Sequence, residues 1–187
     1  MVDKYRLYEL WKLVEQSSKL DKGSILEVGV WRGGTGVVLA QQAKNCGIND
    51  CVYLCDTFKG VVKAGRNDIF YSNGECSNTS KETAQDLMRK LNIRNVEICQ
   101  GTFPDDFDDK FGKLQYRLCH IDVDVYQGAK EITEWVWPRL VKGGIIVYDD
   151  YGTYSTVGVT KYVDEIMSDK DKIVIYNING HAVLVKL

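Results

Sequence analysis

The sequence predicts an α/β protein: an open, mostly parallel sheet with an antiparallel C-terminal strand and helices on both faces. Three observations carry this expectation. Short apolar runs alternate with segments of helical period along the whole chain, the arrangement that builds a parallel sheet. Glycines gather at Gly29, Gly33, Gly34 and Gly36, directly after the first of those runs. The dipeptide Asn179-Gly180 separates the last two runs and favours the tight turn of an antiparallel hairpin.

The elements follow in order. Leu7, Leu10, Trp11 and Val14 stand at i, i+3, i+4 and i+7, one apolar face of a helix within residues 1–20. "SILEVGV" (24–30) reads as a buried strand, and "GVVLAQQAKNCG" as a helix that stops at Gly47. "CVYLCD" is a second strand, "SKETAQDLMRKLN" a helix with Ser80 as N-cap, and "VEICQG" a third strand. A short acidic segment leads to the strand "YRLCHIDVDV", then the helix "AKEITEWVWPRL", the strand "GGIIVYDD" and the helix "STVGVTKYVDEIM". "KIVIYNINGHAVLVKL" closes the chain as two strands. Between Asp56 and Ser80 lies the one long irregular stretch, rich in Gly, Asn and Ser. Its length marks residues 57–79 as a candidate lid.

At 187 residues and 21.2 kDa the chain suits a single domain, residues 1–187, without disulfides or structural metal. A formal net charge of -2 with 27% charged residues excludes a basic nucleic-acid surface. No apolar run approaches the ~18 residues of a membrane span, and charges interrupt the N-terminus where a signal peptide would be apolar. The expected location is the cytoplasm, with no membrane partner. Six cysteines without a C-x-x-C pair read as reduced, mostly core thiols.

Glycines in "EVGVWRGGTG" let the backbone turn sharply beside a ligand, and the following helix offers unpaired N–H groups. The spacing is G-x-x-x-G-G-x-G, not the G-x-G-x-x-G of dinucleotide sites, and Glu27 precedes it. That acid would repel a pyrophosphate but suits a cationic cofactor with an amino-acid tail, such as S-adenosylmethionine. Glu27, Gly29, Trp31 and Gly33 are the candidate contacts, Trp31 and Arg32 alternatively bracing the turn. Asp56, with Thr57 after it, ends the second strand where a carboxylate accepts from ribose hydroxyls; the alternative is a loop-capping aspartate. Gly101, Thr102 and Phe103 close the third strand and are candidates to receive an adenine ring, although a plain strand-to-helix corner explains them nearly as well.

Strands four and five end in Asp122, Asp124, Asp149 and Asp150. In an open sheet ligands bind at the carboxyl ends of the strands, so these acids would meet. Four adjacent carboxylates repel unless a cation neutralises them, and a set of oxygen donors favours Mg2+ or a similar ion. Asp124-Val-Tyr-Gln127 also has the form of a capping box, which would account for Asp124 alone. His120, inside the strand, reads first as a satisfied core histidine and second as a contact to the adenosine or an aid to proton movement.

"EVGVWRGGTG", "CDTFKG", "HIDVDVYQGAKE" and "GGIIVYDDYG", in that order, resemble the macrocin O-methyltransferase family, whose members methylate sugar hydroxyls in antibiotic biosynthesis. The resemblance runs from about Gly23 to Gly158. It implies a class I methyltransferase fold, S-adenosylmethionine as donor and a divalent metal, usually Mg2+. Carried over, Asp122, Asp149 and Asp150 are the metal ligands and Asp124 the general base, with Glu27, Gly29 and Gly33 at the methionine part and Asp56 at the ribose. The chain is shorter than the family, with little before its first helix. The expected substrate is a small-molecule hydroxyl on a sugar or glycosylated or nucleotide-linked compound, with Lys59, Lys63 and Arg66 of the loop as candidates to meet an anionic one. Relatives commonly form homodimers. A catechol or phenol O-methyltransferase, a nicotinamide-dependent oxidoreductase and a non-catalytic cofactor-binding protein are the alternatives.

Overall fold

The computed structural model describes residues 2–107 and 109–187. Seven strands form one sheet in the order β3-β2-β1-β4-β5-β7-β6. They are β1 (Ser24–Val28), β2 (Val52–Asp56), β3 (Val96–Gln100), β4 (Tyr116–Ile121), β5 (Leu140–Tyr148), β6 (Lys172–Tyr176) and β7 (Ala182–Lys186). The first five strands are parallel, while β7 runs antiparallel to both β5 and β6. This is the predicted α/β fold, hairpin included. The hairpin turn is wider than the two-residue turn expected from Asn179-Gly180. It spans 177–181, because Asn177 Oδ1 accepts from Asn179 N at 2.9 Å and Asn177 N donates to His181 O at 3.1 Å.

Period-two alternation puts successive strand residues on opposite faces, and two cores result. Leu26, Val28 and Cys119 pack with Ile132 and Val136 of α5 (Tyr126–Val136) and Val159 and Val163 of α6 (Val157–Ile166); Phe111 of the short α4 (Asp109–Gly112) joins them. Ile25, Leu54 and Leu118 face Leu10 and Val14 of α1 (Lys4–Ser17), Leu39 of α2 (Gly34–Asn45), and Ala84 and Met88 of α3 (Lys81–Lys90). Ser80 caps α3, its hydroxyl accepting from Thr83 N at 3.2 Å. Of the acidic segment before β4, Asp108 lies outside the described residues. Among the described residues no helix is long and apolar enough to cross a membrane.

The chain leaves β1 toward β2 and β3, then returns on the other side for β4 and β5. The strand order therefore reverses between β1 and β4, where open α/β sheets open a crevice. Gly29 and Asp122 close that point: Asp122 N donates to Val28 O at 2.9 Å, and a Cβ on Gly29 would lie 1.8 Å from Asp122 O. With φ +93 as well, only glycine fits here.

Candidate active site

A cavity of about 600 Å3 opens over the carboxyl ends of β1, β2, β4 and β5. The glycine turn and Asp56 form one wall, Asp122, Asp124, Asp149 and Asp150 the other, and Val61 and Tyr71 of the long loop the cover.

Asp56 organises the first wall. Its Oδ2 accepts from Val30 N at 2.7 Å and Trp31 N at 2.8 Å, and its Oδ1 from Phe58 N at 2.6 Å. The loop-capping alternative thus describes its present bonds, and of roughly four acceptor positions on a carboxylate one remains toward the cavity. Trp31 adopts φ 47, stacks under the Arg32 guanidinium at 4.4 Å and donates from Nε1 to Asn78 at 2.9 Å. Its carbonyl accepts from Thr79 Oγ1. The turn is therefore braced by the far end of the long loop, while Trp31 still lines the cavity.

Thr57 reaches the cavity, but its hydroxyl closes a turn with Gly60 O and Lys59 N, both at 3.0 Å. Gly101 and Phe103 line the cavity. Phe103 is at the same time 5% exposed and packed 5.0 Å from Phe107 and 4.9 Å from Trp135, ring centre to ring centre. Gly33 and Thr102 lie outside the lining: Gly33 faces Met88 and Ala84, and Thr102 N donates to Asp106.

Glu27 and His120, expected at the cofactor, sit behind the cavity wall. Both are fully buried and neither lines the cavity. Glu27 sits on the β1 face that packs against α2, and its Oε1 lies 3.0 Å from His120 Nδ1 on the neighbouring strand. His120 Nε2 lies 3.5 Å from Asp149 Oδ1. Burial disfavours the charged ring, yet the carboxylates of Asp149 and Glu27 outweigh it and raise its pKa to about 10. The core reading describes its place.

The second wall assembles the four acids. Ligand oxygens of Asp122, Asp149 and Asp150 lie within 4.8 Å of one another. Burial pushes the pKa of Asp122 and of Asp150 well above the carboxylate range, and neighbouring aspartate charges push further. Asp150 Oδ2 is buried and lacks a hydrogen-bond partner among the described residues. Asp149 behaves differently: burial would raise its pKa, but the His120 ring beside it and the bond from His181 hold it below the usual range. An orphaned oxygen, three converging hard donors and this surplus of negative charge fit a divalent cation.

Asp124 takes φ 65, and burial raises its pKa. The capping-box alternative is overturned. The N-cap of α5 is Val125 without a side-chain bond, and Tyr126 N instead donates to Asp68 Oδ1 of the long loop at 2.8 Å. Tyr71, from the same loop, faces Asp124, whose charge adds to burial in raising the tyrosine pKa.

The long loop is tied down throughout. Val61 N donates to Glu75 O and Gly74 N to Val61 O, each at 2.8 Å, and Lys161 Nζ reaches Asn67 at 2.9 Å. Lys63 is ion-paired with Glu131 and with Asp105 at 2.8 Å, and Lys59 and Arg66 are exposed. Sequence reasoning missed Arg6, Glu9, Tyr71 and His181. Arg6 and Glu9 look like the solvated face of an amphipathic helix, and His181 like the start of an edge hairpin; no local signal marks them.

Together the fold and the strand-end acids define a class I methyltransferase architecture. NovP, an O-methyltransferase of known structure, superposes with a TM-score of 0.83 at 20% identity, over 97% of this chain and 79% of its own. Residues 1–183 match the model of the macrocin-O-methyltransferase (TylF) family, and the chain belongs to that family. Mycinamicin III 3''-O-methyltransferase of Micromonospora griseorubida is 28% identical over 81% of this chain and 64% of its own length. The 8-demethyl-8-(2,3-dimethoxy-alpha-L-rhamnosyl)-tetracenomycin-C 4'-O-methyltransferase of Streptomyces olivaceus is 26% identical over 69% and 53%. The chain thus spans between about half and two thirds of the curated relatives it matches.

Proposed function

We propose that the protein is a metal-dependent O-methyltransferase that transfers a methyl group from S-adenosylmethionine to a hydroxyl of a sugar or glycosylated small molecule. The observation that carries this reading is the convergence of Asp122, Asp149 and Asp150 beside Asp124 on the wall of one cavity. Family membership supports methyl transfer, and the rhamnosyl group in the name of the Streptomyces relative supports a sugar acceptor.

In this reading the glycine turn and Asp56 seat the donor, Gly29 by leaving backbone room and Asp56 by its remaining acceptor position. Asp122, Asp149 and Asp150 hold a divalent cation such as Mg2+. When bound, the cation lowers the pKa of the acceptor hydroxyl and the sulfonium supplies the methyl group. Asp124 takes the hydroxyl proton: burial makes its carboxylate a stronger proton acceptor than a free aspartate, as a general base requires. Tyr71 stands at that carboxylate, and the loop that carries it covers this side of the cavity. Positioning donor and acceptor in one cavity removes several kcal/mol of the barrier.

Calorimetric titration with S-adenosylmethionine, with and without Mg2+, tests the site. Mass detection of methyl gain across a panel of sugars and phenols then tests the acceptor. Full turnover in excess chelator would sink the metal assignment, and turnover of phenols alone would move the protein to the catechol-type reading.

A further inference from the structure

His181 precedes β7 and is fully buried, with each ring nitrogen facing a carboxylate. Nε2 lies 2.8 Å from Asp149 Oδ1, and Nδ1 lies 2.7 Å from Glu9 Oε2 on α1. Ionised carboxylates only accept, so rotation of the ring breaks a bond on one side or the other. Glu9 is fixed in turn: Asn177 Nδ2 donates to both of its oxygens at 2.7 Å, and the Asn177 backbone closes the β6–β7 turn on His181. None of the three lines the cavity. Whatever they do for a ligand there passes through Asp149.

We propose that His181 and Glu9 are positioning residues for Asp149, a brace running from α1 through the β6–β7 turn that aims the Asp149 carboxylate at the cation. The inference rests on the metal reading above. With Oδ1 held by His181, the side chain keeps one orientation, and Oδ2, which meets Arg6 Nη1 at 2.5 Å, is the oxygen left to share with Asp122 and Asp150 once a cation takes the place of that guanidinium. A hydrogen-bonded carboxylate of this kind keeps its direction as a ligand, and loss of such an outer partner costs about 10- to 100-fold in metal affinity.

The test is Mn2+ binding, followed by electron paramagnetic resonance, in wild type, His181→Gln, Glu9→Gln and Glu9→Ala, with thermal melting and S-adenosylmethionine binding measured alongside. The expected result is Mn2+ affinity lower by about 10- to 100-fold in His181→Gln and in Glu9→Ala. Glu9→Gln keeps most of the affinity, since its amide oxygen still accepts from His181, and donor binding is unchanged in all three. A lower melting temperature with Mn2+ affinity close to wild type makes the brace purely structural and overturns the proposal. If His181→Gln does not fold, the Glu9→Ala and Glu9→Gln pair decides on the same criterion. Absence of Mn2+ binding in wild type overturns the metal reading itself, a result distinct from equal binding by all variants.

Discussion

Arg6 Nη1 lies 2.5 Å from Asp149 Oδ2, and the same nitrogen donates to the Asp149 carbonyl at 3.0 Å. The N-terminal helix therefore places a guanidinium on one oxygen of a carboxylate whose other oxygen belongs to His181. An ion seated between Asp122, Asp149 and Asp150 would stand close to that guanidinium, and like unit charges 4 Å apart near a protein surface repel by about 4 kcal/mol.

Arg6→Gln should consequently destabilise the metal-free protein, by about 1–3 kcal/mol for a charged hydrogen bond lost, while enlarging the stabilisation that Mg2+ confers. Urea denaturation with and without Mg2+ measures both. A Mg2+ shift equal to that of wild type would show that guanidinium and cation do not compete.

Asp124→Asn should leave metal and donor binding intact and reduce single-turnover rate by about 100-fold or more, the usual contribution of a positioned base. The isosteric amide keeps the φ 65 backbone accessible, since asparagine tolerates the left-handed region. An unchanged rate would remove Asp124 from the chemistry.

Asp68 couples the long loop to the helix that follows Asp124. Asp68→Ala deprives Tyr126 N of its cap and should cost about 0.5–2 kcal/mol. Gly158→Ala attacks the same contact from the other side, because its Cβ would fall 1.9 Å from Asp68 Oδ1. Both variants should show faster hydrogen exchange at Tyr126 and across residues 57–79; protection as in wild type would mean the loop is held elsewhere.

The Lys63 ammonium holds the pKa of Glu131 below its ordinary value. A depressed carboxylate pKa contributes stability above the unfolded value, about 4.3, and that contribution disappears as pH falls through the lower folded value. Glu131→Gln should accordingly lower stability at pH 7 and flatten the acid limb below about pH 4.3. Denaturation midpoints from pH 7 to pH 3 check the sign, which an unaltered acid limb in the variant would contradict.

Gly29→Ala should be the most damaging small change at the site. Its Cβ would collide with the Asp122 backbone, and its φ of +93 is strained for any L side chain. Loss of donor binding together with about 2 kcal/mol or more of stability is expected; circular-dichroism melts and calorimetry would record it, and a wild-type profile would show that β1 and β4 can part without consequence.

The architecture was legible because alternation of apolar strands with helical periods is a local property of the chain. Asp122, Asp124, Asp149 and Asp150 were legible as well, since each stands at the end of an apolar run and open sheets gather strand ends. Asp56 was placed correctly on the wall, but its capping bonds depend on where Val30 and Trp31 turn back. The burial of Glu27 and His120 was not legible for a related reason: the face a strand residue takes, toward the ligand edge or the helix behind the sheet, is decided by strand twist and packing. Gly36 is close enough that a Cβ there would lie 3.0 Å from Glu27 Oε2, which puts that side chain under α2.

By itself the sequence determined the order of the elements, the sheet class and the carboxylates at the strand ends, all consequences of periodicity and short-range turn chemistry. Only the tertiary structure decided that Arg6 and Glu9 from the first helix, and His181 from the last hairpin, close around Asp149, and that Asp68 rather than Asp124 caps α5. Those contacts join segments up to 172 positions apart. They arise when two helical layers settle on one twisted sheet, and no local pattern in the chain encodes which polar side chains that packing brings face to face.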